Sequence, residues 1–181
     1  LHQHQILVVD DSQLERQVVL DQLLSHDYDV DSAGSIAEAQ YRLRANVYSC
    51  IVLDFHLPDG TGVDLMQWMQ QEHLSVPVIL TSADTDQMLA VQALKAGADD
   101  YIPKAQIQTH RLHNSIRQLV ARYETASRIR DAESALAYLS QQHELILTTI
   151  DDGICGVDLN GTVTFINPAG ADILGVSPAT V

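Results

Sequence analysis

The chain has 181 residues, 46% of them hydrophobic: enough for one average domain plus part of another, and too apolar for disorder throughout. Ten Lys and Arg face 24 Asp and Glu, a net charge of -14, so direct nucleic-acid binding or attraction to an anionic membrane surface is not expected. Cys50 and Cys155 lie far apart without a metal-ligand spacing, which argues against disulfide scaffolds and zinc clusters and for two buried small hydrophobes in a reducing cytosol.

No apolar run approaches the roughly 18–20 residues of a membrane span, so a cytoplasmic protein with no membrane partner is expected. The opening Leu1-His2-Gln3-His4-Gln5 lacks a starting Met and reads as a solvated leader, with room for a start farther upstream. Net charge is -11 over residues 1–110, +1 over 111–150 and -4 over 151–181, which suggests domain cuts.

The first predicted element is the strand Ile6-Leu7-Val8-Val9. A helix follows, with Leu14, Val18 and Leu23 as its apolar stripe and Ser12 with Glu15 as its capping box. A weaker strand over 29–33 leads to a second helix with Ser35 and Glu38 as its capping box and a stripe of Ile36, Ala39 and Leu43. The strand Cys50-Ile51-Val52-Leu53 precedes a third helix, whose buried face takes Leu65, Met66, Met69 and Trp68. Val76 to Leu80 form a fourth strand, Ala90, Val91 and Leu94 the stripe of a fourth helix, and 100–102 a weak fifth strand. Continuous apolar strands alternating with amphipathic helices predict an α/β fold, a five-stranded parallel sheet in a three-layer (βα)5 sandwich of flavodoxin-like type.

From Ile107 to Ile150 one helical pattern persists, with no Pro or Gly between Lys104 and Asp152. Its apolar positions run Leu112, Ile116, Leu119, Tyr123 and Ala126, slip phase, then continue Ile129, Ala132, Leu136, Leu139, His143, Ile146 and Ile150. Such a helix would extend roughly 65 Å, too far to pack along a small domain, so a parallel dimeric coiled coil is expected; the alternative is that Ile107, Leu112 and Leu119 simply cover the sheet. A hairpin follows, Ile154 to Val157 and Thr162 to Ile166 around Asp158-Leu159-Asn160-Gly161, then a short helix over 168–174. The expected organisation is a domain over 1–122, a long helix over 107–150 that overlaps its last helix, and a partial α+β segment over 151–181, too short to bury its own core.

The functional crevice of an open parallel sheet lies beyond the carboxyl ends of its strands. Asp10 and Asp11 close the first strand, Asp54 the third and Thr81 the fourth, and Lys104 follows the fifth. Convergent carboxylates raise one another's pKa unless a cation joins them, and hard oxygen ligands favour Mg2+. One such carboxylate can attack a phosphoryl group and become an acyl phosphate, with Lys104 and the Thr81 hydroxyl suited to hold the transferred oxygens.

The Asp10-Asp11 pair, Asp54 before Leu57-Pro58-Asp59-Gly60, Thr81-Ser82-Ala83, the run Lys95-Ala96-Gly97-Ala98-Asp99-Asp100-Tyr101, and Lys104 resemble a response-regulator receiver domain of two-component signalling over about residues 5–122. The resemblance implies that Asp54 is the phosphoacceptor and that Asp10, Asp11, Asp54 and the main-chain carbonyl of His56 hold Mg2+. It further implies that Thr81 and Lys104 bind the phosphoryl group and that Tyr101 is the aromatic switch. Pro103 precedes Lys104 and Ala105 follows it, whereas the family usually places Pro after the lysine, so the family's cis Lys-Pro bond is not carried over.

The stretch from Gly153-Ile154 through Asn160-Gly161 and Phe165-Ile166-Asn167-Pro168 to Leu174-Gly175-Val176 is similar to the start of a Per-ARNT-Sim (PAS) sensor domain. These resemblances imply a phosphoprotein in a phosphorelay, loaded by a sensor histidine kinase or phosphotransfer protein. It would be a phosphoacceptor with self-dephosphorylation rather than a turnover enzyme. Its signal would pass through a parallel homodimer of the helix to the PAS segment and an output outside the sequence, such as a diguanylate cyclase or histidine kinase. The alternative is a receiver that docks partners without phosphorylation. A DNA-binding regulator would need a basic helix-turn-helix after residue 122, and the sequence has none there.

Overall fold

In the computed structural model, which describes residues 4–26, 28–83, 87–107 and 110–176, the five predicted strands pair as one parallel sheet. Its strands are β1 (Gln5–Val9), β2 (Asp29–Ala33), β3 (Cys50–Asp54), β4 (Val78–Ser82) and β5 (Asp100–Pro103), in the order β2-β1-β3-β4-β5. The helices between and after them are α1 (Gln13–Leu24), α2 (Ile36–Ala45), α3 (Gly62–Gln71), α4 (Gln87–Lys95) and α5 (Arg111–Thr149).

Period-two alternation along the strands sorts the core into two layers. Leu7, Val9, Ile51, Leu53 and Leu80 point to one face and pack with Ala39 and Leu43 of α2, Leu65, Met66 and Met69 of α3, and Ala93 of α4, with Trp68 half-buried against them. Ile6, Val8, Val52, Ile79 and Ile102 point to the other, where Val19 and Leu23 of α1 and Leu112, Ile116, Leu119 and Val120 of α5 cover them. This is the expected three-layer sandwich. A sheet flanked on both faces presents its strand ends as an open edge, and the functional side chains collect there.

Two predicted stripes are rotated. In α1 the buried positions are Val19 and Leu23, while Leu14 is exposed, because five residues before Val19 is about 140° around the helix. In α4 the small Ala93 faces the sheet, which leaves Val91 and Leu94 half in solvent at about 100° or more from it. The capping boxes also differ from expectation. Ser12 and Ser35 do accept the amides of Glu15 and Glu38, at 3.3 and 3.2 Å. The Glu15 carboxylate goes instead to Lys104, and the Glu38 carboxylate to the Gly34 amide and Arg42, so neither box closes. The reciprocal box belongs to α3, where Asp64 accepts from the Thr61 amide at 2.7 Å and donates its own amide to the Thr61 hydroxyl at 3.3 Å.

The chain divides into two compact units, one through Thr125 and one from Ala126. The division falls beside the phase slip between Ala126 and Ile129. Within the first unit Asp99 ties α5 to the sheet: it accepts the Val78 amide at 3.0 Å, Arg122 at 2.5 Å and the Tyr123 hydroxyl at 3.1 Å. In the second unit the apolar residues Ile129, Leu136, Leu139, Leu145 and Ile146 of α5 are exposed.

The hairpin forms as β6 (Cys155–Val157) and β7 (Val163–Ile166), followed by α6 (Pro168–Leu174). In its turn Asp158 accepts the amides of Asn160 and Thr162, and Gly161 takes a φ of 82° that a larger residue would resist. Asn167, fully buried, joins the pieces: its Oδ1 accepts from Ile154 and Gly170, and its Nδ2 donates to the carbonyls of Leu147 and Asp152. Val157, Leu159, Phe165 and Ile173 remain exposed, as expected of a segment too short to bury a core.

Cysteine burial differs from the sequence expectation. Cys50 is fully buried in β3, where burial pushes its thiol pKa up, but Cys155 is exposed on the two-stranded hairpin sheet. A maleimide should therefore modify one thiol per folded chain, at Cys155, and a second only after denaturation. Rapid modification of both in the folded chain would contradict this packing.

Candidate functional site

Each site residue is set by where a strand runs out. Asp10 follows β1 and stays buried. Its amide donates to the Ala33 carbonyl at 3.0 Å, its Oδ1 accepts from the Ser12 amide at 2.9 Å, and its carbonyl accepts from Arg16. Asp54 is the last residue of β3, buried, and in register with Thr81 of β4. The Thr81 hydroxyl, also buried, donates to the Leu53 carbonyl at 3.2 Å. Lys104 comes directly after β5 and extends its Nζ to Asp10 Oδ2 at 2.8 Å, to Asp54 Oδ2 at 2.9 Å and to Glu15 Oε2. Among the described residues there is no cis peptide bond, and Lys104-Ala105 is trans.

Carboxylate oxygens of Asp10, Glu15 and Asp54 lie within 4.8 Å of one another. Three carboxylates against the single ammonium leave the cluster with a charge of about -2 when all are ionised. Burial and that excess act together on the cluster. Burial pushes the Asp54 carboxyl up, Asp10 adds to the rise, and Lys104 offsets only part of it. Burial alone would lower the Lys104 pKa, but hydrogen bonds to Asp10, Glu15 and Asp54 outweigh it and raise it instead. Hard oxygen donors with an uncompensated double negative charge fit a hard divalent cation such as Mg2+.

Asp11 is exposed and stands outside this cluster. The His56 side chain is exposed, its ring edge-on to Phe55 with centroids 4.9 Å apart, and its backbone pairs with Thr61. Tyr101 is buried on β5. The turn after Asp54 is fixed by Asp59, whose carboxylate accepts the Ile36 and Ala37 amides at 2.9 and 3.0 Å and so caps α2. A Cβ on Gly62 would stand 2.7 Å from the Asp54 carbonyl oxygen and 3.1 Å from Leu53, so only glycine lets α3 begin this close to the site. Gly62→Ala should cost about 1–3 kcal/mol and lower the melting temperature by several degrees, measured by thermal unfolding; an unchanged melting temperature would refute the close approach.

Glu15 is the site residue that sequence reasoning missed. Its position three after Ser12 gave it a local partner and concealed its reach to Lys104, which is distant in sequence. The usable signal was a carboxylate in the first turn of the helix that starts beside Asp10.

The family model for the response regulator receiver domain matches residues 6–117 of the chain. The chain belongs to this family. The receiver domain is followed by a match to the PAS fold over residues 141–181. Over 128 residues the chain is 38% identical to the response regulator protein PilR of Pseudomonas aeruginosa, which covers 71% of this chain and 27% of PilR. It is 32% identical over 99 residues to the transcriptional regulatory protein PhoP of Escherichia coli, covering 55% of this chain and 44% of PhoP. The chain thus spans less than half the length of these relatives. The receiver domain of the Francisella response regulator 1452 superposes with a TM-score of 0.62 at 27% identity, covering 66% of this chain and 98% of that domain. Among the described residues of this receiver protein, no helix is long and apolar enough to cross a membrane.

Proposed function

We propose that the receiver domain takes a phosphoryl group onto Asp54 from a sensor histidine kinase or a phosphotransfer protein. The observation that carries this is the shared grip of Lys104 on Asp10 and Asp54, at 2.8 and 2.9 Å, at the open strand ends. In the transfer an Asp54 carboxylate oxygen bonds to phosphorus as the donor's P–N bond breaks. The departing imidazole keeps the electron pair and takes a proton from water. Lys104 turns donors toward the transferred oxygens, and the Thr81 hydroxyl, on the residue directly in register with Asp54, exchanges the Leu53 carbonyl for a phosphoryl oxygen.

Asp10 and Asp54 would hold Mg2+, with Asp11 and the His56 main-chain carbonyl completing the ligand set that the family resemblance implies. Bound there, the ion supplies the positive charge that lets an anionic donor approach a carboxylate. Loss of the group returns the chain to its resting state. A water oxygen bonds to phosphorus, the P–O bond to Asp54 breaks, the carboxylate leaves with the electron pair, and the proton passes to solvent.

The signal then runs along α5 as a parallel homodimer to the PAS segment and to an output beyond it, such as a diguanylate cyclase or histidine kinase. Support comes from Ile129, Leu136, Leu139 and Ile146, which follow one another at steps of seven, three and seven, the spacing of a coiled-coil seam, and are exposed. Incubation with a labelled phosphohistidine donor and Mg2+ tests the phosphoacceptor role: label stable to EDTA during loading, or no label at all, would refute it.

A further inference from the structure

Lys104 has three N–H donors, and the structure directs the ammonium to three carboxylates, those of Asp10, Asp54 and Glu15. The three are not equivalent. The Asp10 and Asp54 side chains are 5% and 7% exposed at the ends of β1 and β3, whereas that of Glu15 is 46% exposed in the first turn of α1. Asp10 or Asp54 leaving Lys104 would strand a buried charge; Glu15 leaving would return its carboxylate to water at little cost. Glu15 and Lys104 both line a cleft of about 160 Å3 with Asp10, Val18, Val19 and Ile107, which gives the Glu15 side chain room to turn away.

We propose that Glu15 is a built-in competitor for Lys104, an anion held on the ammonium in the resting chain that incoming phosphoryl oxygens must displace, so that it slows phosphorylation of Asp54. This rests on the phosphoacceptor role of Asp54. The competing contact is charge-assisted and of the same type as the one a phosphoryl oxygen makes, so the two exclude each other at one donor. Glu15 contacts none of the reacting atoms; it acts by occupying the group that will.

The test is the initial rate of Asp54 labelling by acetyl phosphate with Mg2+. In that reaction an Asp54 oxygen bonds to phosphorus while the P–O bond to the acetyl group breaks and acetate leaves with the electron pair. Glu15→Gln should label about threefold to tenfold faster than the wild type at low ionic strength, and Glu15→Ala likewise. The advantage should shrink toward about twofold or less near 0.5 M salt, because a half-exposed ion pair is screened. Glu15→Asp keeps the charge but shortens the reach to Lys104, so it too should label faster than the wild type. Equal or slower labelling of Glu15→Gln, or a Glu15→Asp variant at the wild-type rate, would overturn the competitor role. A wild type that takes no label fails at the phosphoacceptor reading itself, a result distinct from equal rates among labelled proteins.

Discussion

Asp54→Asn should abolish labelling by acetyl phosphate or a phosphohistidine donor, a loss of more than about 100-fold in the initial rate. The amide is nearly the same size as the carboxylate but has no anionic oxygen to bond to phosphorus. The fold should survive, because Lys104 keeps Asp10 and Glu15 as partners and the crowded cluster loses one of its negative charges. Loss of label with an intact circular dichroism spectrum therefore reports chemistry rather than unfolding. Loading the wild type in EDTA should bring the same loss, since Asp10 and Asp54 then repel the anionic donor without relief. Full labelling of Asp54→Asn would remove Asp54 as the acceptor.

The second large effect concerns α5. Leu136 and Leu139 are 66% and 50% exposed, although their spacing to Ile129 and Ile146 is that of a coiled-coil seam. Burying each leucine contributes about 1.5–3 kcal/mol, and a dimer buries four, so replacing both in each chain by Asp should weaken association by at least about a thousandfold. Sedimentation of the wild type at tens of micromolar should give a dimer, and the Leu136→Asp/Leu139→Asp double variant a monomer that still labels at Asp54. A wild-type monomer with and without phosphoryl donor, or a dimeric double variant, would defeat the relay through paired helices.

What the sequence disclosed depends on the range of the interaction. The three inner strands β1, β3 and β4 were legible because a sheet covered on both faces needs continuous apolar runs, as in Ile6-Leu7-Val8-Val9 and Cys50-Ile51-Val52-Leu53, while the edge strands β2 and β5 carried a weaker signal. The short helix over 168–174 was legible because Asn167 before Pro168 is a local start signal. The faces of α1 and α4 were not, because apolar residues outnumber the places against the sheet, and only packing selects Val19 over Leu14 or Ala93 over Leu94. At the site, Asp10, Asp54, Thr81 and Lys104 follow from strand ends, a rule of topology. Glu15 does not, because its partner lies across the fold and its local neighbour Ser12 offers a plausible substitute. Ile107, Leu112 and Leu119 were open to two readings; Ile107 lies ahead of α5, which begins at Arg111 and not at the expected 107, and the burial of all three against the sheet assigns the first turns of α5 to the receiver.

Reduction of the loaded protein with borohydride tests the central claim most directly, because an acyl phosphate is reduced to an alcohol whereas a free carboxylate is not. After loading with acetyl phosphate and Mg2+, fragment masses should place homoserine at position 54 and at no other acidic residue, and the product should vanish when donor or Mg2+ is omitted. Homoserine at the position of Asp10 or Asp11, the corresponding reduction product at Glu15, or an unmodified Asp54 in protein that carries label, would contradict the assignment of Asp54 as the phosphoacceptor.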